Sequence, residues 1–524
     1  DLLATTTVGT SSAKDRLEMR STTSGIAIGK LPDTNGVSTV AIGDNANAMA
    51  DYVIAAGFYA GKSTGTQGTH SISLGAYSNN GTDNIGPQSV ALGHSGKAMS
   101  TGDISIGASA QAKSGSQVSI GYYAGNTTGT SGTRAVSIGN FSNQGATNIG
   151  TDSVAVGSSA DSIGDQSTAV GTGAVATGVS SVSVGANSSA IQNGTIAMGS
   201  SASSSIIDAI AIGNQAKSLF GSAVSIGANS KAGGAGLALG VRAISDAITY
   251  GIAIGGDAVA SGGNYAIALG YTAQAKNTHV ISVGFEAGKT TGTVGAQAIS
   301  IGFAVNNGTT NVGQGSVAIG ENSKSQGNYD VSMGYYAGNT TGTQGTFAVS
   351  IGIQANSGTS DIGANSVAVG YLAKSRGAQA VAVGRDTEAI YNSVAMGYFT
   401  KATANSTVAI GPVSKAEGIA SLAIGDTAKA IAQQDIAIGN QTGNTTGTSQ
   451  NSAISIGTSA NSGTTNIGRQ GIAIGNSAKS EGSEGIAIGG VNASAQGLAS
   501  IAIGSGCTAA AEGSGVISTT NQTT

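Results

Sequence analysis

A short apolar run closed by glycine recurs along almost the whole chain. It reads Gly-Ile-Ala-Ile-Gly at 25–29, Ser-Val-Ala-Leu-Gly at 89–93, Ser-Val-Ala-Val-Gly at 153–157 and Ser-Ile-Ala-Ile-Gly at 500–504. The closing glycines run from Gly29, Gly43 and Gly57 to Gly475, Gly489 and Gly504, 32 copies in all. Their spacing is mostly 14, with a second class at 18 and a few at 13 or 15. Such a period marks one small unit repeated, each copy burying its apolar surface against the next. Apolar, small, apolar is the alternation of a strand, with Ile and Val on one side and Ala or Ser on the other. The glycine supplies the backbone freedom of a sharp turn. A weaker strand of the form x-x-Ala-x-Ala follows, as in Asn45–Ala46–Asn47–Ala48. Two short strands and two turns predict one coil of a flattened parallel β-solenoid, an all-β fold, with coils about 4.8 Å apart.

Composition agrees with a thin, repeated core. Of 524 residues 86 are glycine and only 3 proline, without a Gly-X-Y period, which excludes collagen. Disorder is disfavoured because Ile and Val recur throughout and charged residues make up only 9%. Aromatics at 4% and the absence of tryptophan leave too little bulk for a thick globular core. The small residue between the apolar pair invites two readings. Small side chains favour tight stacking of coils, or they mark the face where other chains approach. We read it as the face that meets other chains, because so thin a core is marginal alone.

Repeats of the form Ser-Val-Ala-Ile-Gly-x-x-Ala-x-Ala, counted over residues 25–505, resemble the YadA-like head repeats of bacterial trimeric autotransporter adhesins. The resemblance implies a left-handed parallel β-roll of 14- and 18-residue coils, with three chains around one axis. It also implies a place at the tip of a surface fibre, carried on a stalk and held by an outer-membrane barrel. No heptad stalk and no C-terminal amphipathic strands occur in this sequence, so stalk and anchor are expected outside it. Residues 1–24 read as a lead or cap segment, 25–505 as the head roll, and 506–524 as a tail or junction to a stalk. In this family collagen recognition is tied to Asn-Ser-Val-Ala-Ile-Gly-like repeats; the near matches here are Asn365–Gly370, with Val for Ile, and Asn392–Gly397, with Met.

The 18-residue spacings form five paired modules opening at Gly57, Gly121, Gly284, Gly334 and Gly439. Thr-Gly-Thr recurs at 64–66, 128–130, 291–293, 341–343 and 446–448. Asparagine recurs at Asn79, Asn143, Asn306, Asn356 and Asn461, and Asn or Asp at Asn84, Asn148, Asn311, Asp361 and Asn466. Extra residues in a solenoid coil emerge as loops on one face, so each module predicts two neighbouring loops. Aromatic residues follow the opening glycine at Phe58, Tyr59, Tyr122, Tyr123, Phe285, Tyr335 and Tyr336; the fifth module has Asn440 and Gln441 instead. Rings give contact area at low entropic cost, which suits protein or glycan recognition. They equally suit covering the solenoid edge against the adjacent loop. These rings and the five recurrent asparagines are the candidate adhesive residues, though repeated Asn and Thr also fit turns and ladders.

Chemistry is sparse. His70, His94 and His279 lie in no metal-spaced or triad-like setting, and acidic residues never pair at a repeated offset. No Gly-Lys-[Ser/Thr] P-loop ending occurs in the required context, and the Gly-Gly-x-Gly-x-Asp calcium repeat fails as well. Neither catalysis nor a cofactor is expected. The single cysteine, Cys507, excludes an intrachain disulfide framework and reads as a bystander. Net charge is −4, with Lys and Arg scattered singly, so no nucleic-acid partner is expected. No apolar run is long enough for a membrane helix and no signal peptide opens the sequence. The expected function is an extracellular adhesin head at the bacterial surface, a homotrimer attaching to matrix proteins, glycans, other cells or abiotic surfaces through many weak contacts. A structural fibre subunit without a dedicated ligand is the alternative. Ice binding is not expected, because Thr-Gly-Thr appears once per module rather than on every coil.

Overall fold

The computed structural model describes residues 18–20, 25–247, 249–445 and 449–518. They fall into two units, Asp1–Asp257 and Ala258–Thr524, each built from the same coil. A three-residue strand such as Val154–Val156 ends at its glycine, and a two-residue strand such as Asp161–Ser162 runs back after the turn. Consecutive long strands pair in parallel and in register: Val154 with Thr168, Ala155 with Ala169, Val156 with Val170. In the second unit Val367, Ala368 and Val369 pair in the same way with Val381, Ala382 and Val383. Every strand thus takes its hydrogen bonds from the neighbouring coil, and the fold follows from repetition alone.

The core inverts the expectation for the small residues. Ala155, Ala169, Ala368 and Ala382, in the middle of the long strands, are fully buried, as are Ala160, Ala174 and Ala176 from the short-strand side. The small-residue face is therefore the interior of each coil, not a surface for other chains. With only 14 residues per turn the two sheets lie so close that a methyl or hydroxymethyl fills the space between them. Ile and Val are turned outward instead: Ile26 is 54% exposed, Ile42 41% and Ile501 37%. The long sheet of each unit thus carries an uncovered apolar face.

The turns are set by stacking. Gly29 has φ +138°, and a Cβ there would lie 2.6 Å from the carbonyl oxygen of Gly43 on the next coil. Two residues past the closing glycine the chain enters the left-handed region even without glycine, as at Asn45 (φ 56°) and Ser109 (φ 57°). Such a residue is disfavoured locally by roughly 1–2 kcal/mol. The turn is held by the coil beneath it, where Asn45 N–H donates to the Lys30 carbonyl at 2.8 Å.

Both ends extend the expected roll. Glu18–Arg20 pairs antiparallel with Ile26–Gly29, Met19 opposite Ile28, and covers the edge of the first strand. The rest of the lead segment, 1–17 and 21–24, lies outside the described residues. At the other end Gly515–Ile517 adds in parallel to Ile501–Ile503, so the coils continue beyond 505. The glycine count stops short because Ser518 occupies the next closing position.

Candidate functional site

Each paired module replaces the short strand with an excursion. In the second module Ser131 and Ile149 form an isolated parallel bridge, and Gln67–Ile85, Val294–Val312, Gln344–Ile362 and Ser449–Ile467 repeat it. The two excursions of a module are therefore stacked on each other rather than projecting independently. Thr130 locks them: its N–H and hydroxyl donate to Asn148 Oδ1 at 3.1 and 2.8 Å. Thr66 with Asn84 and Thr293 with Asn311 make the same pair of bonds. In the fourth module Asp361 accepts both bonds from Thr343, which hold its carboxyl below the usual carboxylate range. Only an acceptor oxygen is needed there, so Asn and Asp interchange. A Cβ on Gly65, Gly129, Gly292 or Gly342 would collide with the carbonyl oxygen of Asp83, Thr147, Thr310 or Ser360. The Thr-Gly-Thr pattern is thus a stacking device. Residues 446–448 of the fifth module lie outside the described residues.

The five recurrent asparagines are not placed to touch a ligand. Asn79, Asn143, Asn306, Asn356 and Asn461 are all fully buried, which corrects their assignment as adhesive residues. Asn143 Nδ2 donates to Ser137 Oγ at 2.7 Å, and its Oδ1 accepts from Ser162 N–H, 19 residues on, at 2.7 Å. The same bridge joins Asn79 to Ser73 and Ala98, and Asn461 to Ser455 and Ser480. Each asparagine also has a left-handed backbone, φ 52–54°, which Asn tolerates better than most residues. One side chain shapes the turn and ties the excursion to the following coil.

The rings behave differently. Phe58, Tyr122, Phe285 and Tyr335 are 41–46% exposed, while Tyr59, Tyr123 and Tyr336 are half-buried beside them. In the first three modules they form files along successive coils, while among the described rings Tyr335 meets only Tyr336. Phe58 meets Tyr59 edge-on at 4.5 Å and Tyr77 at 5.3 Å, and Tyr77 meets His94 at 5.5 Å. Tyr122 and Tyr123 pack on Phe141, and Phe285 stacks between Tyr271 and Phe303 at 5.6 and 5.1 Å. Neighbouring rings do cover one another, yet each file keeps an exposed outer edge. Sequence reasoning missed Tyr77, Phe141 and Phe303, which extend the files. Their signal was position, one or two residues after the next closing glycine. Outside the modules Arg385 lies 5.5 Å from the centroids of both Tyr371 and Tyr398. His70 and His279 stack on Tyr52 and Tyr265.

Among the described residues no group of His, Cys, Asp or Glu is arranged to hold a metal ion. Cys507 is fully buried, its Sγ 3.4 Å from the Ile503 carbonyl. Carboxyls inside the coils are structural: Asp330 accepts from Gly327 and Ala348 N–H at 2.8 Å each, and burial pushes it up to about 6.

A family model described as YadA head domain repeat matches residues 35–60, 149–174, 176–202, 190–216, 207–230, 249–273, 262–287, 312–337, 362–387, 391–414, 416–442 and 467–490. These segments cover more than half of the chain. The unmatched stretches include 61–148, 288–311, 338–361 and 443–466, where the excursions lie. The modules are therefore departures from the common repeat. Comparison with individually curated proteins gives no match.

Proposed function

This chain belongs to the YadA head-domain repeat family, a non-enzymatic adhesive family, and from that premise we propose that it is the head of a bacterial surface adhesin acting as a homotrimer. The observation that carries the adhesive reading is the set of ring files. A strip of contacting aromatics with an exposed edge recurs at three modules, at Phe58–Tyr77, Tyr122–Phe141 and Phe285–Phe303. Isolated exposed rings need no explanation, but rings repeated at one register position form a strip on which a partner can lie. Each contact is weak, and repetition along one chain and across three would supply the avidity. The uncovered Ile and Val of the long sheets supply the trimer contact, a face that would leave water when three chains pack about an axis.

Retention of the full chain on fibronectin, laminin, collagen and bare plastic tests the reading, with Tyr122→Ala/Phe141→Ala and Phe285→Ala/Phe303→Ala combined in one variant. Weaker retention of a variant with an unchanged far-ultraviolet spectrum is expected. Equal retention of both proteins, or none by either, refutes adhesion through the rings.

A further inference from the structure

The cations of this chain are not scattered once the coils are aligned. Nine of its 15 lysines occupy one position, four residues after a closing glycine: Lys97, Lys217, Lys231, Lys324, Lys374, Lys401, Lys415, Lys429 and Lys479. Except at Lys324 this position begins a short strand and points outward, its neighbour in the strand being buried, as in Lys415–Ala416. In the second unit the short strands Lys374–Ser375, Glu388–Ala389, Lys401–Ala402, Lys415–Ala416 and Lys429–Ala430 pair in parallel. Lys401 lies opposite Lys415, and Lys415 opposite Lys429. Three ammonium groups thus start from backbones about 4.8 Å apart.

Like charges directly opposite on a sheet are destabilising, and Lys401, Lys415 and Lys429 face one another with no acid at that position between them. Among the described residues Lys374, Lys401, Lys415 and Lys429 take part in no ion pair, and the one acid in the row, Glu388, is already held by Arg376 at 3.2 Å. Shielding of the sheet by lysine stems explains one lysine per coil, but not an uncompensated file. The row is also bounded. Excursions replace the short strand in the modules that precede and follow it, at Gln344–Ile362 and Ser449–Ile467. The lysines therefore line a stretch of five regular coils between two stacked loop pairs.

We propose that the face bearing Lys374, Lys401, Lys415 and Lys429 binds an acidic linear polysaccharide lying along the coil axis. A polymer with an acidic group on each sugar repeats its charge on a scale comparable with the coil rise, so one chain meets several ammonium groups at once. Single-stranded nucleic acid is the poorer fit, because its binding surfaces interleave cations with rings for base stacking. No ring lies in these five short strands. The proposal uses a face distinct from the aromatic files and does not depend on them.

The test measures binding of the full chain to a sulfated linear polysaccharide, a polyuronate, neutral dextran and single-stranded DNA across a salt series. Its variant is Lys401→Ser/Lys415→Ser/Lys429→Ser. Serine already occupies this position at Ser189 and Ser203, which pair on adjacent coils, so the fold tolerates it. The expected result is binding to both acidic polysaccharides and not to dextran, with a log–log salt slope lower by roughly 2–3 in the variant, close to one released counterion per lost cation. The Lys→Arg triple variant should retain binding, which separates loss of charge from loss of structure. No binding to either acidic polymer by the wild type, an unchanged slope in the serine variant, or tighter binding to DNA than to both polysaccharides overturns the proposal.

Discussion

Replacing Asn143 by alanine tests the idea that the buried asparagine, rather than the visible Thr-Gly-Thr loop, holds a module to the roll. The wild-type amide joins three segments: its own left-handed turn at φ 52°, Ser137 Oγ at 2.7 Å and Ser162 N–H at 2.7 Å. Alanine leaves the Ser162 N–H buried without an acceptor, about 1–3 kcal/mol. It also places a Cβ-bearing residue without a local polar partner in the left-handed region, about 1 kcal/mol more. A loss near 3 kcal/mol corresponds to a roughly 100-fold change in a local equilibrium. Coils contact only their neighbours, so the effect stays local and a global melt would dilute it. Amide hydrogen exchange is the suitable assay: Ser162 and its strand neighbours should exchange roughly 100-fold faster, while residues several coils away are unchanged. Asn143→Gly, which removes only the hydrogen bonds, should fall short of the alanine variant by about 1 kcal/mol. Asn148→Ala, at an exposed position whose Thr130 donors water can satisfy, should change exchange at Ser162 little. Protection at Ser162 altered less than about threefold in Asn143→Ala would refute the reasoning, because the bridge would then contribute under 1 kcal/mol.

Gly43→Ala should disrupt its coil severely, since φ is +121° and the new Cβ would lie 2.6 Å from the Gly57 carbonyl oxygen; protease cleavage confined to residues near that coil would report it, and wild-type resistance would count against the stacking account. For Asp330 burial raises the folded pKa to about 6, so the folded state holds the proton more tightly than the unfolded chain. Stability should therefore rise as pH falls from above 6 towards 3.8, by on the order of 2 kcal/mol, and Asp330→Ser should flatten that dependence in urea titrations; a wild type more stable at pH 7 than at pH 4.5 with no change in slope for the variant would contradict it. Ile212→Asp, on the outward face of the long sheet in a residue that leaves Ala211 buried, should preserve the roll but shift sedimentation from three times 50.2 kDa towards a single chain; a wild type that sediments as a single chain removes the basis for the trimer.

The coil was legible in the sequence because its two strongest signals are both backbone requirements. Closing glycines are needed wherever a following coil stacks its carbonyl on the turn, as Gly43 does on Gly29, and only the last turn, at Ser518, departs from glycine, so the period is printed almost without error. What the alternation could not say is which face is inside. A strand of Ile-Ala-Ile reads as an apolar face and a small face, and bulk ordinarily marks the core. Here the narrowness of the coil reverses the rule: Ala211 is buried while Ile210 and Ile212 stay partly exposed. Width is a property of the closed coil, not of any strand. The same limit explains the asparagines. Asn143 and Asn148 look alike in the sequence, but one is fully buried between coils and the other sits exposed at a loop tip. The difference lies in partners 18 or 19 residues away, Thr130 and Ser162. The lysine row failed to show for the converse reason. Read linearly, Lys401, Lys415 and Lys429 are isolated charges in a chain of net charge −4. Only when the coils are placed in register do they become direct neighbours. In a solenoid the coil period, not the sequence neighbour, decides which side chains act together, and charge patterns have to be read along that axis.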